Sequence, residues 1–266
     1  FAAELSFTIL KIPTLNFSLA VWRLIFTIGI ILLFGFVNYR GASVFGKIGG
    51  QISVLVLIIL GLYIIFGLKR IIVSPELLVK NLTPFLPFGL LGVVQAAGLF
   101  YIAFEGTEIQ AQTGEEVKDP ARTLKIGLFG SWAIISILYL LISFIIISAT
   151  DGGAMQSWQF LGQSGEHAIL ESARQILPYG YILMVLAGIL ANIAALNATI
   201  YSSSRVLFSM ARDKSVLHFF SKIHPKNYTP HYAIILSVLV IALVAAFLPI
   251  KDIAGAADVL FILLFL

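Results

Sequence analysis

Two carboxylates flank a glycine at the end of an apolar run. Glu105 and Glu108 stand on either side of Gly106, directly after Phe88 to Phe104, seventeen mostly apolar residues. Ionisable groups embedded in such a run mark ion or substrate pathways. Two arrangements are open. In one, a helix crosses from Phe88 to Phe104, about 26 Å at 1.5 Å per residue, and the glutamates lie at the interface; length alone favours this. In the other, the helix breaks between Ala103 and Gly106 inside the membrane, and Thr107 to Val117 forms a second half-helix that completes the crossing. A break of this kind frees backbone carbonyls and helix ends to hold charged groups at the bilayer midplane. Gly106 would let the chain turn there because it lacks a Cβ. Glu108 would then start the second half-helix, where the helix dipole and the cost of burial act on its charge in opposite senses. That makes it a coupling or gating group.

The elements that must position these residues are membrane helices. Hydrophobic residues make up 59% of the sequence and charged residues 11%, with a mean hydropathy of +1.01; soluble domains carry roughly 25% charge. Seven apolar runs approach the roughly 20 residues needed for a crossing: Leu19 to Val37, Ile52 to Leu68, Phe88 to Phe104, Ile126 to Ala149, Tyr179 to Tyr201, His231 to Ile250, and Ile253 to the end. The partner implied is the lipid bilayer. Residues 1–266 read as a single transmembrane domain truncated at both ends.

Alternating the loops puts Asn38 to Gly50, Gly114 to Lys125 and Arg205 to Lys226 on one side with ten basic residues, against seven on the other. The bias makes the first set cytoplasmic, and it accounts for the net charge of +4 without nucleic acid. The long connection from Thr150 to Pro178 reads as turns around a short helix, Glu166 to Ile176. Ala187, Ala191, Ala194, Ala195 and Ala198 form a small-residue stripe expected to lie inside the bundle.

No cofactor or metal is implied. His167, His218, His224 and His231 lack ligand spacing, and there is no cysteine. Glu115, Glu116, Asp119, Lys118 and Arg122 read as a solvated loop. An intramembrane enzyme would need a zinc pair or a serine-histidine arrangement absent from this sequence. A non-transporting scaffold would have spans without embedded charge.

Phe104-Glu-Gly-Thr-Glu108 followed by Glu115-Glu-Val-Lys-Asp-Pro120-Ala-Arg122 resembles the sixth helix and next loop of the amino acid–polyamine–organocation permeases. Ser203 to Asp213, with Phe220, His224, Pro225, Thr229 and Pro230 behind, resembles the eighth helix of that family and its exit loop. Asn38-Tyr-Arg-Gly41 with Lys47 and Gln51 is similar to the link between its fourth and fifth helices. The resemblance implies helices four to ten of an all-α, five-plus-five inverted-repeat transporter with a broken sixth helix, moving amino acids or organic amines by symport or exchange. It implies that Ile102, Ala103, Phe104, Glu105 and Gly106 bind the substrate, their carbonyls receiving its ammonium. It aligns Thr199 with a hydroxyl that helps bind sodium in related transporters. Ile102 stands where several members carry an aromatic gate, and Val56 where some carry a lysine in place of a cation. The coupling ion implied is a proton in preference to sodium.

Overall fold

The computed structural model describes residues 19–102, 104, 106, 108–114, 117, 119–248, 256, 260 and 263, and every regular element among them is helical. In chain order these are α1 (Leu19–Arg40), α2 (Ala42–Val73), α3 (Pro75–Asn81), α4 (Gly89–Ile102), α5 (Glu108–Ala111), α6 (Pro120–Ala149), α7 (Ser157–Ser164), α8 (Ala168–Ile176), α9 (Gly180–Arg212) and α10 (His231–Phe247). Turns of 3-10 helix lie at Gly165–His167 and His218–Ser221. Among the described residues, α1, α2, α6 and α9 are long and apolar enough to cross a membrane. The expected spans at Phe88 and His231 correspond to the shorter apolar helices α4 and α10, of 14 and 17 residues. The expected span from Ile253 lies outside the described residues except for Ala256, Leu260 and Leu263, which are helical.

Helix boundaries follow local chemistry. α6 begins at Pro120, earlier than the apolar run does, because proline at the first helical position forfeits no hydrogen bond. α9 continues past Tyr201 to Arg212, and within it Ser203 and Ser204 donate to the carbonyls of Ile200 and Tyr201 on their own helix. The Thr150 to Pro178 connection contains the expected helix as α8, and also α7, which the sequence reading missed.

The chain divides into two compact units, residues 1–50 with 193–266 and residues 51–192. In the first, α10 packs on α1, and Ile31, Phe34, Ile200, Ile234 and Val238 form the core. Asn38 donates to the Asn197 side-chain oxygen at 2.9 Å and to the Phe34 carbonyl at 2.9 Å, both amides being buried. Of the alanine stripe, Ala187 is buried, Ala194 and Ala198 are half-buried, and Ala191 and Ala195 are exposed. Within the first unit, α9 also buries Asn197, Ile200, Tyr201 and Ser204, one helical face at three- and four-residue steps.

In the second unit a buried polar network ties the long connection to the helix ends. The Tyr63 hydroxyl lies 2.7 Å from Ser172 Oγ, and Thr150 Oγ1 donates to the same oxygen at 2.7 Å. Arg70 donates to the Gln175 carbonyl. Asn81, buried at the end of α3, donates to the carbonyls of Thr150 at 2.9 Å and Ser148 at 3.3 Å and accepts from the Ser157 amide at 3.3 Å. Asn81→Ala strands three buried backbone groups at once, at about 1–3 kcal/mol for each left unsatisfied. We expect a loss of about 3 kcal/mol or more, read as a clear drop in the melting temperature of the purified full-length protein.

At the start of the same connection, Asp151 accepts from the Gly153 amide at 2.9 Å and from Lys80 Nζ at 3.4 Å. The Gly153 bond, aided by Lys80, holds its carboxyl below its ordinary value. A depressed carboxylate contributes stability above its unfolded pKa, and loses it as pH falls through the folded value. Asp151→Asn should therefore cost a few tenths of a kcal/mol at neutral pH, as exposed pairs do. Melting curves should show that difference shrinking as pH falls below about 4 and gone once pH is under the depressed folded value.

Candidate functional site

α4 stops at Ile102, and the chain is non-helical at Phe104 and Gly106 before α5 begins at Glu108. Gly106 has φ +99°, a conformation that side chains with a Cβ rarely adopt. The Ile109 amide donates to the Gly106 carbonyl at 3.2 Å and so closes the first turn of α5. α4 spans about 21 Å, less than the roughly 30 Å of a hydrocarbon core.

The second half is shorter than the sequence suggested. Helix is present over Glu108–Ala111, and Gln112, Thr113 and Gly114 form turns. Thr113 Oγ1 donates to the Gln110 carbonyl at 2.7 Å, and the Gly114 amide to the Ala111 carbonyl at 3.3 Å, closing local turns where helix was expected. A single turn carries little of the macrodipole assumed for a full half-helix.

One face of α6 fixes the interruption in place. The Phe104 ring meets the Tyr139 ring edge-on, with centroids 5.4 Å apart. Gln110 Nε2 donates to Ser131 Oγ at 2.8 Å. Ser131 and Tyr139 lie eight residues apart, two turns along one face. The sequence reading missed Gln110, Ser131 and Tyr139; the signal was two polar groups at helical spacing inside an otherwise apolar run.

The structure thus brings Ile102, Phe104, Gly106 and Glu108 into one interrupted segment of the second unit. Ala103 and Glu105 fall within that segment's numbering but outside the described residues. Thr199 lies in the first unit on α9, exposed, with its hydroxyl donating to the Ala195 carbonyl at 2.9 Å. That bond uses the hydrogen and leaves oxygen lone pairs, the part of a hydroxyl that ligates a cation. Among the described residues no group of three or more His, Cys, Asp or Glu side chains is placed to hold a metal ion.

A family profile described as amino acid permease matches residues 2–265. The branched-chain amino acid permease BcaP of Bacillus subtilis is 28% identical over 231 residues, covering 86% of this chain and 47% of that protein. The methylthioribose transporter of the same organism is 26% identical, over 85% of this chain and 46% of its own length. Cationic amino acid transporter 5 of Arabidopsis thaliana is 31% identical over 63% of this chain and 28% of its own. The chain therefore spans about half the length, or less, of these relatives. Together with the four spanning helices, the match makes this a multi-pass membrane protein, as the composition led one to expect.

Proposed function

This chain belongs to the amino acid permease family, and on that premise we propose that the protein is a secondary active transporter of amino acids or related organic amines. It works by alternating access in the cell membrane. The observation that carries the reading is the interruption of an apolar helix at Phe104 and Gly106, with a carboxylate-bearing residue, Glu108, directly beyond it. Interrupted helices place unpaired carbonyls and helix ends where charged substrate groups bind. The substrate ammonium is received by the carbonyls of Ile102, Ala103, Phe104 and Glu105, with Gly106 providing the turn, while its carboxylate is held by parts of the protein outside this chain. Glu108 couples or gates, and a proton is the coupling ion in preference to sodium.

Relatives named for branched-chain amino acids and for methylthioribose match at 28% and 26% identity, so neither name carries over as the substrate. The test is uptake by the full-length protein in proteoliposomes, with each of the twenty amino acids and methylthioribose as competitors. Competition by an amino acid supports the reading. No uptake and no competition by any of them, with the protein correctly inserted, defeats it.

The same reading places residues 114–125 in the cytoplasm. In intact cells a Lys118→Cys variant of a cysteine-free full-length background should resist an impermeant thiol reagent, and should label once the membrane is opened. Labelling from outside would invert the topology.

A further inference from the structure

The α9 to α10 connection carries an open groove of about 810 Å³ that the transport reading does not use. Leu207, Leu217, Phe220 and Leu236 form its apolar wall, and Lys214 and His218 its polar edge. We infer that this groove is a binding site for an anionic phospholipid of the adjacent leaflet, its acyl chains against the apolar wall and its phosphate at Lys214.

Three observations converge. The first is depth. α9 has 33 residues, about 50 Å of helix, which exceeds the roughly 30 Å hydrocarbon core, so its end and Lys214 reach the headgroup level. An aromatic cluster surrounds that end: Phe219 meets Phe220 edge-on and Tyr232 at a tilt, at centroid distances of 5.2 Å and 3.9 Å. Tyrosine gathers at the membrane interface.

The second is the surface chemistry. Leu217 is 72% exposed and Ile223 53%, apolar side chains that water would disfavour and lipid would cover. Beyond the buried Arg205, residues 206–226 contain four basic residues (Arg212, Lys214, Lys222, Lys226) and one acidic residue, Asp213. Basic residues beside a membrane are drawn to anionic headgroups. The apolar wall favours a lipid over a free phosphate ion.

The third is Lys214 itself. It sits at φ +63° just past the end of α9, where the Ser215 amide donates to the Met210 carbonyl at 2.9 Å and the Lys214 amide to the Ala211 carbonyl at 3.3 Å. This is the Schellman ending, whose left-handed residue is usually glycine. A lysine there sacrifices backbone ease and places a charge at the groove.

The geometry also supplies a variant that should not harm the fold. Lys214→Gly removes the charge and relieves the left-handed backbone. Full-length protein in non-ionic detergent would be titrated with phosphatidylglycerol or phosphatidylcholine of matched chains, bound lipid being read by native mass spectrometry. The wild type should prefer phosphatidylglycerol by about five-fold, the equivalent of roughly 1 kcal/mol for a basic residue at an anionic surface. Lys214→Gly should lose that preference, and inorganic phosphate should not compete. A preference that survives in Lys214→Gly, or none in the wild type, overturns the site. Equal competition by inorganic phosphate would make it a free-anion site instead. None of these outcomes depends on uptake, so they stand apart from the transport reading.

Discussion

Glu108→Gln in the full-length protein should keep substrate binding and flatten the pH dependence of uptake. Glutamine preserves size and most hydrogen bonding while removing the change of charge. Ionisable groups embedded in membrane spans serve ion pathways, and Glu108 stands directly after the interruption at Phe104 and Gly106. The valine at position 56 leaves no lysine there to share the task. Coupling free energies of about 1–3 kcal/mol correspond to roughly 5–150-fold in the linked equilibrium, so proton-driven accumulation should fall by about ten-fold or more. Binding by calorimetry and uptake across a pH series separate the outcomes. An unaltered rate and pH profile would remove Glu108 from coupling, whereas loss of binding would move it into the substrate site. The shortness of α5 matters here, because with one helical turn beyond Gly106 the dipole has little influence.

The second large effect is structural. Gly180→Ala should destabilise the second unit by about 3 kcal/mol or more, the range of severe overpacking. A Cβ at Gly180 would lie 2.0 Å from the Ala173 carbonyl oxygen and 2.6 Å from its carbon. Both are backbone atoms near the end of α8, so no rotamer change can relieve the clash. Tyr179 already sits at φ +56°, and the Gly180 amide donates to the Leu177 carbonyl at 2.8 Å, fixing the turn from both sides. Gly188, in the interior of α9, meets nothing within 4 Å on gaining a Cβ. Gly188→Ala should be neutral or stabilising by up to about 1 kcal/mol, and serves as the control. Equal melting temperatures for the two variants would contradict the close approach of α8 to Gly180.

The sequence by itself determined the class. Apolar runs too long and too uncharged for a soluble core announced the membrane helices, because bilayer thickness fixes their length and burial cost fixes their composition. The glycine between two glutamates left two arrangements open, a continuous helix that length favoured and an interrupted one. The chain leaves helix at Phe104 and Gly106, where Gly106 takes φ +99°, an angle a residue without a Cβ accepts without strain. What periodicity could not fix was extent and partnership. The half-helix read as Thr107 to Val117 is a single described turn, since Thr113 and Gly114 close local hydrogen bonds that compete with helix. In the first unit α9 packs through Asn197, which finds Asn38 on α1, a pairing no spacing rule within α9 contains. The hold of α6 on the interruption, through Ser131 and Tyr139, and the network joining Tyr63, Thr150 and Ser172 likewise link residues distant in sequence. Local patterns report what a segment needs to bury or to satisfy; which distant group supplies the partner is settled only when the helices pack.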